Sequence, residues 1–241
     1  MAVLLMRFTG PMQSWGTQSR FTVRDTGMEP SKSGVIGLTC AALGRPRSAP
    51  VDDLAALRMG VRVDREGTMQ MDYHTALNVA LAKGGVKKDA VVSRRYYLAD
   101  ADFLVGLEGD NISRLEEIHV ALRNPHWTLY LGRKAFVPSV PVWIPDGLKE
   151  NTSLEDALKQ YPWPRPLTDV PKKRPERLRV VLQTEFGVGE DVRHDQPVGA
   201  AYGYSRGHNL ALRYVRTDFW PLGGENGIPI RQEEEVCISQ D

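Results

Sequence analysis

The chain has 241 residues, 41% of them hydrophobic and 25% charged, and its 31 Lys and Arg nearly balance 30 Asp and Glu, leaving a formal net charge of +1. A chain of this length buries about 70% of its unfolded surface, so no disulfide or metal staple is needed, and no apolar run approaches the ~20 residues of a membrane-spanning helix. Any polyanion site must therefore come from local patches: Lys and Arg gather at residues 83–95, 132–134 and 172–179, whereas Glu233, Glu234 and Glu235 lie near the end.

The first residues, Ala-Val-Leu-Leu-Met-Arg-Phe at 2–8, read as a buried strand stopped by Thr9, Gly10 and Pro11. They lack the pattern of a signal peptide, and Cys40 and Cys237 are too few for a disulfide framework, so a reducing cytoplasm is expected, with no membrane partner. Residues 12–30 mix Gln13, Ser14, Trp15, Arg20, Arg24 and Asp25 in a loop too long for a simple connector, which marks a working surface. Ser31 then caps a helix that Gly44 ends, and Gly34, Gly37 and Ala41 share one face, a pattern predicting close approach to a sheet. Ser31, Lys32 and Ser33 at this helix start suit an anion, because free N–H groups and the positive dipole end point the same way. A simple N-cap with a solvated Lys32 is the alternative. A P-loop would need glycine where Thr26 and Ser31 stand, which argues against a nucleotide triphosphate.

Asp52 and Asp53 lead into a short helix through Leu54 and Leu57, and residues 59–64 alternate like a half-buried strand. Residues 71–79 and 91–98 read as the strands of a long hairpin whose tip holds Lys83, Gly84, Gly85, Lys87 and Lys88. Lysines also guard ordinary sheet edges against aggregation. Tyr73, His74, Tyr96 and Tyr97 beside Arg94 and Arg95, however, combine stacking faces with backbone neutralisation, the chemistry that single-stranded nucleic acid requires.

Residues 103–107 give another strand, and Asn111 caps a helix with an apolar stripe of Ile112, Leu115, Ile118, Val120 and Leu122. Residues 127–131 read as a strand running into Gly132, Arg133 and Lys134, a turn where a phosphate can approach the backbone, or else a solvated turn. The order predicts an α+β protein with a ferredoxin-like core and one free sheet face. Prolines from Pro138 to Pro175 mark a surface excursion with one short helix at 154–161. A strand follows at 178–184, a polar loop at 187–197 and a last strand at 210–215. Tyr202, Gly203, Tyr204, Arg206 and His208 repeat the aromatic and basic mixture between them, and the tail is acidic. The expected division is a core at 1–140, the excursion at 141–177, a β-rich part at 178–230 completing the core, and the tail at 231–241.

The five histidines form no His-x-x-x-His pair and no Cys-x-x-Cys occurs, so no metal, cofactor or catalytic residue is expected. A metal-independent ribonuclease built from Tyr73, His74 and a hairpin lysine stays open as the alternative.

Leu-Met-Arg-Phe-Thr-Gly-Pro-Met-Gln-Ser-Trp-Gly at 5–16 and Pro-Ser-Lys-Ser-Gly-Val-Ile-Gly-Leu at 30–38 carry a family likeness, as do residues 72–75, 95–103 and 130–134. They resemble the CasD family of CRISPR-associated RAMP subunits from type I-E Cascade complexes. The resemblance implies a ferredoxin-like, RRM-like RAMP core, a protruding β-hairpin thumb at 70–98, and a subunit that grips the 5′ handle of crRNA and caps the complex backbone in antiviral defence. It implies as partners a CasC-type backbone subunit, a CasA-type large subunit and a CasE-type ribonuclease, with target DNA reached indirectly. A related type I-C branch cuts RNA itself, so a repeat-RNA endoribonuclease is the alternative and a purely structural scaffold the second. The expected RNA contacts are Gln13, Trp15, Arg20 and Arg24 in the loop, Ser31, Lys32 and Ser33 at the helix start, and Tyr73, His74, Lys83, Lys87, Lys88, Arg94 and Arg95 on the hairpin. Gly132, Arg133, Lys134, Arg206 and His208 complete the set. An RRM-style aromatic RNP1 string is absent, and residues 138–177 match no family motif.

Overall fold

The opening apolar run forms β1 (Ala2–Thr9), buried at every position but Arg7. Ala2, Leu4, Met6 and Phe8 enter one core while Val3 and Leu5 enter another, so both faces are covered and the run shows no alternation. This computed structural model describes all residues except 19–21, 82, 88, 165–173, 190, 203–208 and 232–241. After β1 come β2 (Met12–Gln13), β3 (Val23–Arg24), α1 (Lys32–Leu43), α2 (Asp52–Ala55), β4 (Arg58–Arg65) and β5 (Thr68–Ala76). Next are β6 (Val79–Ala80), β7 (Val86–Lys87), β8 (Val91–Ala99), β9 (Asp102–Gly109) and α3 (Ile112–Arg123). The second part adds β10 (Trp143–Glu150), α4 (Leu154–Gln160), β11 (Arg177–Gln183), β12 (Asp191–Pro197) and β13 (Leu210–Pro221).

The main sheet has seven strands in the order β10-β1-β9-β4-β11-β13-β12, each paired antiparallel to its neighbours. The buried side chains of α1 and α3 share the core of Leu4, Met6 and Phe8. Leu154 and Leu158 of α4 pack on the opposite face with Val3, Leu5, Leu104, Val180 and Leu182, so the face expected to be free is covered there. A glycine pair makes this possible. Gly60 and Gly106 are register partners on β4 and β9, and a Cβ on either would run into Leu158 or Leu154. Each leucine so buried contributes about 1.5–3 kcal/mol.

The cap residues of α1 act as their sequence predicts: Ser31 Oγ accepts from the Gly34 N–H, and Gly44 closes the helix with φ +70. The small face of α1 meets rings rather than a sheet. A Cβ on Gly34 would lie 2.9 Å from the Trp15 ring, and Gly37 faces Tyr202. In α3, Leu115, Ile118 and Leu122 form the buried stripe, whereas Val120, expected among them, is 64% exposed because it lies on the opposite helical face.

Two expected loops are strands, and one expected strand is not. Residues 127–131 form no strand; instead the Trp127 N–H donates to Ala41 O, satisfying a carbonyl at the end of α1. The strand belongs to β10, inside the region expected to be an excursion, where it pairs with β1 across a bulge. Its Pro145, Asp146 and Gly147 disguise it, and an edge strand tolerates such residues because its outer side needs no ladder partner. Likewise β12 was expected as polar loop, because its inward Asp195 is charged as well as buried. No helix among the described residues is long and apolar enough to cross a membrane.

Candidate nucleic-acid interface

A smaller sheet centres on β8. Its partner β5 pairs along the whole of β8, while β2 and β3 take the other edge. Opposed residues share a face, so the registers sort the side chains. Arg24 opposes Arg95, which opposes Asp72, and His74 lies two residues further along that face. Val23, Arg94, Tyr73, Met71 and Tyr96 occupy the other. The ribbon thus has a polar, arginine-rich face and a largely apolar one.

Arg133 joins the polar face from the turn that follows Leu131. Its Nη2 donates to Tyr96 O at 2.9 Å and to Arg24 O at 3.5 Å, and its guanidinium lies 5.4 Å from the Phe136 ring centre. Burial pushes its pKa down, and Arg95 and Arg24 push the same way against Asp72 and Asp25. Arg24 is exposed and Arg95 half-buried, its Nε held by Ser93 Oγ at 3.0 Å. Arg94, Lys134, Lys83 and Lys87 are exposed, and Tyr73 is 61% exposed. Arginines brought together with fewer carboxylates among them make a locally positive surface, which an anion stabilises.

Gly132 works differently from expectation. With φ +90 and no side chain, it lets the turn press against the Ser14 carbonyl, a space that a Cβ would fill. The Ser14 N–H donates to Leu131 O beside it, so the missing side chain serves a joint between two loops. The joint delivers Arg133.

Several other expected RNA contacts are internal. Gln13 is 0% exposed; its Nε2 donates to Phe8 O and Ala101 O, and its Oε1 accepts from Trp15 Nε1. Trp15 is buried and stacked on Phe8 with ring centres 5.4 Å apart. Ser31 is spent on the cap, and Ser33 offers its carbonyl to the Tyr202 hydroxyl. Lys32 is 0% exposed, with its Nζ donating to Gln183 Oε1 at 2.9 Å. The anion site at the α1 start exists, but a carboxylate of this chain fills it: Asp195 Oδ2 accepts the Lys32 N–H. Arg20, Lys88, Arg206 and His208 lie outside the described residues.

Tyr73 and His74, the expected ribonuclease pair of the alternative reading, are neighbours on one strand and point to opposite faces of the ribbon. They do not converge on one phosphate. Sequence reasoning named Asp25 in the loop without giving it a role and missed Phe136 and Asp195, and of the three only Asp25 carried a usable signal, as a lone carboxylate following Arg24.

A seven-stranded antiparallel sheet with helices on both faces, beside a second ribbon bearing clustered arginines, makes this an α+β protein with one locally positive face. The chain belongs to the family of CRISPR-associated proteins (Cas_Cas5), whose family model matches residues 3–228. It is similar to the CRISPR system Cascade subunit CasD of Escherichia coli (strain K12), 31% identical over 176 residues that cover 66% of this chain and 76% of that protein. A crystal structure of a Cas protein is similar with a TM-score of 0.71 and 47% identity, covering 91% of this chain and 95% of that one. A chain of a CRISPR RNA-guided surveillance complex is similar with a TM-score of 0.71 and 32% identity, covering 90% of this chain and 89% of that one.

Proposed function

We propose that the chain is an RNA-binding and assembly subunit of a Cascade-type CRISPR surveillance complex, gripping the 5′ handle of the crRNA and capping the backbone without cutting RNA. The observation that carries this is the convergence of Arg24, Arg95 and Arg133 on one face of the β8 ribbon, in a member of the Cas5 family. A ferredoxin-like RAMP core is supported by the order β10-β1-β9-β4, two strand-helix-strand units with both helices on one face. The thumb assignment for residues 70–98 is supported by β5, most of whose residues are exposed. CasC-type, CasA-type and CasE-type proteins are the proposed neighbours, in keeping with the complex that holds a similar chain.

The test is to incubate the purified chain with repeat RNA in EDTA across a salt series. Binding without cleavage is expected, and about three phosphate contacts at roughly −0.7 each give a slope of log K against log salt near −2. A slope near zero removes the interface. Cleavage, or accumulation of uncut precursor in cells carrying His74→Ala, moves the function to the endoribonuclease. A chain that binds no RNA yet joins the complex is a scaffold.

A further inference from the structure

Arg24 reaches the polar face on β3, a strand of two residues, both exposed. So short a strand is marginal unless the loop behind it is fixed. The two arms of that loop are tied to each other: the Trp15 N–H donates to Thr26 Oγ1 at 2.9 Å, and the Gly27 N–H to Trp15 O at 3.2 Å. Between these ties and β3 stands Asp25. Its Oδ2 accepts the N–H of Gln18 at 3.1 Å and of Thr17 at 3.4 Å, and its carbonyl accepts from Ser14 Oγ at 3.5 Å. Gly16 makes the room, since a Cβ there would collide with both the Asp25 carbonyl and its Oδ1.

This carboxylate is on the wrong side of the electrostatics. A negative charge beside arginines that hold a polyanion lowers their affinity for it, so the gain must lie elsewhere. We propose that Asp25 is a positioning residue: clasped by the backbone of Thr17 and Gln18 and accommodated by Gly16, it lays β3 on β8 so that Arg24 meets RNA phosphate beside Arg95 and Arg133. This role rests on the RNA-binding function of the face and adds the residue that assembles it.

Two opposed effects make the sign decisive. Asp25→Ala removes a repulsive charge and the clasp together, and the clasp dominates, so affinity of the full chain for repeat RNA should fall about tenfold, the scale of a charge-assisted hydrogen bond. Asp25→Asn keeps an oxygen that accepts from the backbone but drops the charge, so it should bind at least as tightly as the parent. Gly16→Ala, which crowds the carboxylate out, should weaken binding as Asp25→Ala does. The double variant Asp25→Ala with Arg24→Ala should bind no more weakly than Arg24→Ala alone, because the first change acts through the second residue. Melting temperatures measured alongside separate this from general loss of fold, which would weaken Asp25→Asn as well and add to Arg24→Ala. An Asp25→Ala chain binding as tightly as the parent, or additive losses in the double variant, overturns the proposal. A parent chain whose weak binding ignores both salt and Arg24→Ala removes the RNA role of the face, and the positioning role with it.

Discussion

Asp195 Oδ2 accepts the backbone N–H of Lys32 at 2.8 Å, so a carboxylate from β12 fills the start of α1. The same group takes two bonds from Arg213 at 2.8 Å each, joining helix, edge strand and β13 at one buried point. An expected ligand site is here a fastening between α1 and the last two strands of the chain, β12 and β13.

Removing the carboxylate should therefore cost stability and spare RNA. Asp195→Ala leaves Arg213 buried without its partner, a loss of about 3 to 5 kcal/mol, which lowers the melting temperature by about 6 to 20 °C at this chain length. Differential scanning calorimetry measures the shift. A shift of a degree or two would mean that β12 is held by other contacts.

Lys32 makes the same point through pH. Burial first, and then Arg213, push its amine from 10.5 down to about 7, with Asp195 acting in the opposite sense. The groups around it are Asp195, Arg213 and the neutral Gln183. The unfolded chain then holds the extra proton between those two values, so stability rises as pH climbs from about 7 towards 10.5. Lys32→Met keeps the length and removes the titration, and the parent should gain on it in urea midpoints between about pH 6.5 and about pH 9.5. Parallel midpoints at both values would show Lys32 protonated throughout.

The polar face of the ribbon gives a prediction about charge. Arg95→Glu should lower RNA affinity tenfold or more and flatten the salt slope by about 0.7 for each phosphate that is no longer neutralised. Lys149→Glu, on β10 where Lys149 pairs with Asp146 at 3.0 Å, should stay within about twofold, as surface pairs of this kind do. Equal losses for the two variants would mean that the interface lies elsewhere.

How far this was legible depends on where the governing interaction sits. Local signals read true: the apolar run of β1, the Ser31 and Gly44 caps of α1, and the alternating residues around the β5 and β8 hairpin need no partner to be seen. Signals completed by a distant residue did not. Lys32 looks solvated until Asp195 and Gln183, more than 150 residues away, close over it. Gly132 looks like a phosphate loop until Ser14 fills its space. The edge strands β10 and β12 were missed because one carries Pro145 and the other buries a charge, and each is identified by its partner strand rather than by its own pattern.

The far end of the hairpin separates folding from function. Beyond β5 and β8, the short β6 and β7 pair encloses Gly84 and Gly85 at φ +86 and +81, where an added Cβ would touch nothing. Lys83, Val86 and Lys87 are exposed there, so this end buries little apolar surface and contributes little to stability. Replacing residues 82–89 with a two-residue turn should move the melting temperature by only a few degrees, since about 1 kcal/mol corresponds to about 2 to 4 °C at this length. Guide RNA recovered with the assembled complex should nevertheless fall, because the replacement removes the lysine charges. Calorimetry beside quantification of co-purified guide decides it. If the shortened chain assembles with full-length guide as well as the parent does, residues 70–98 are ordinary sheet edge and the grip on RNA lies wholly at Arg24, Arg95 and Arg133.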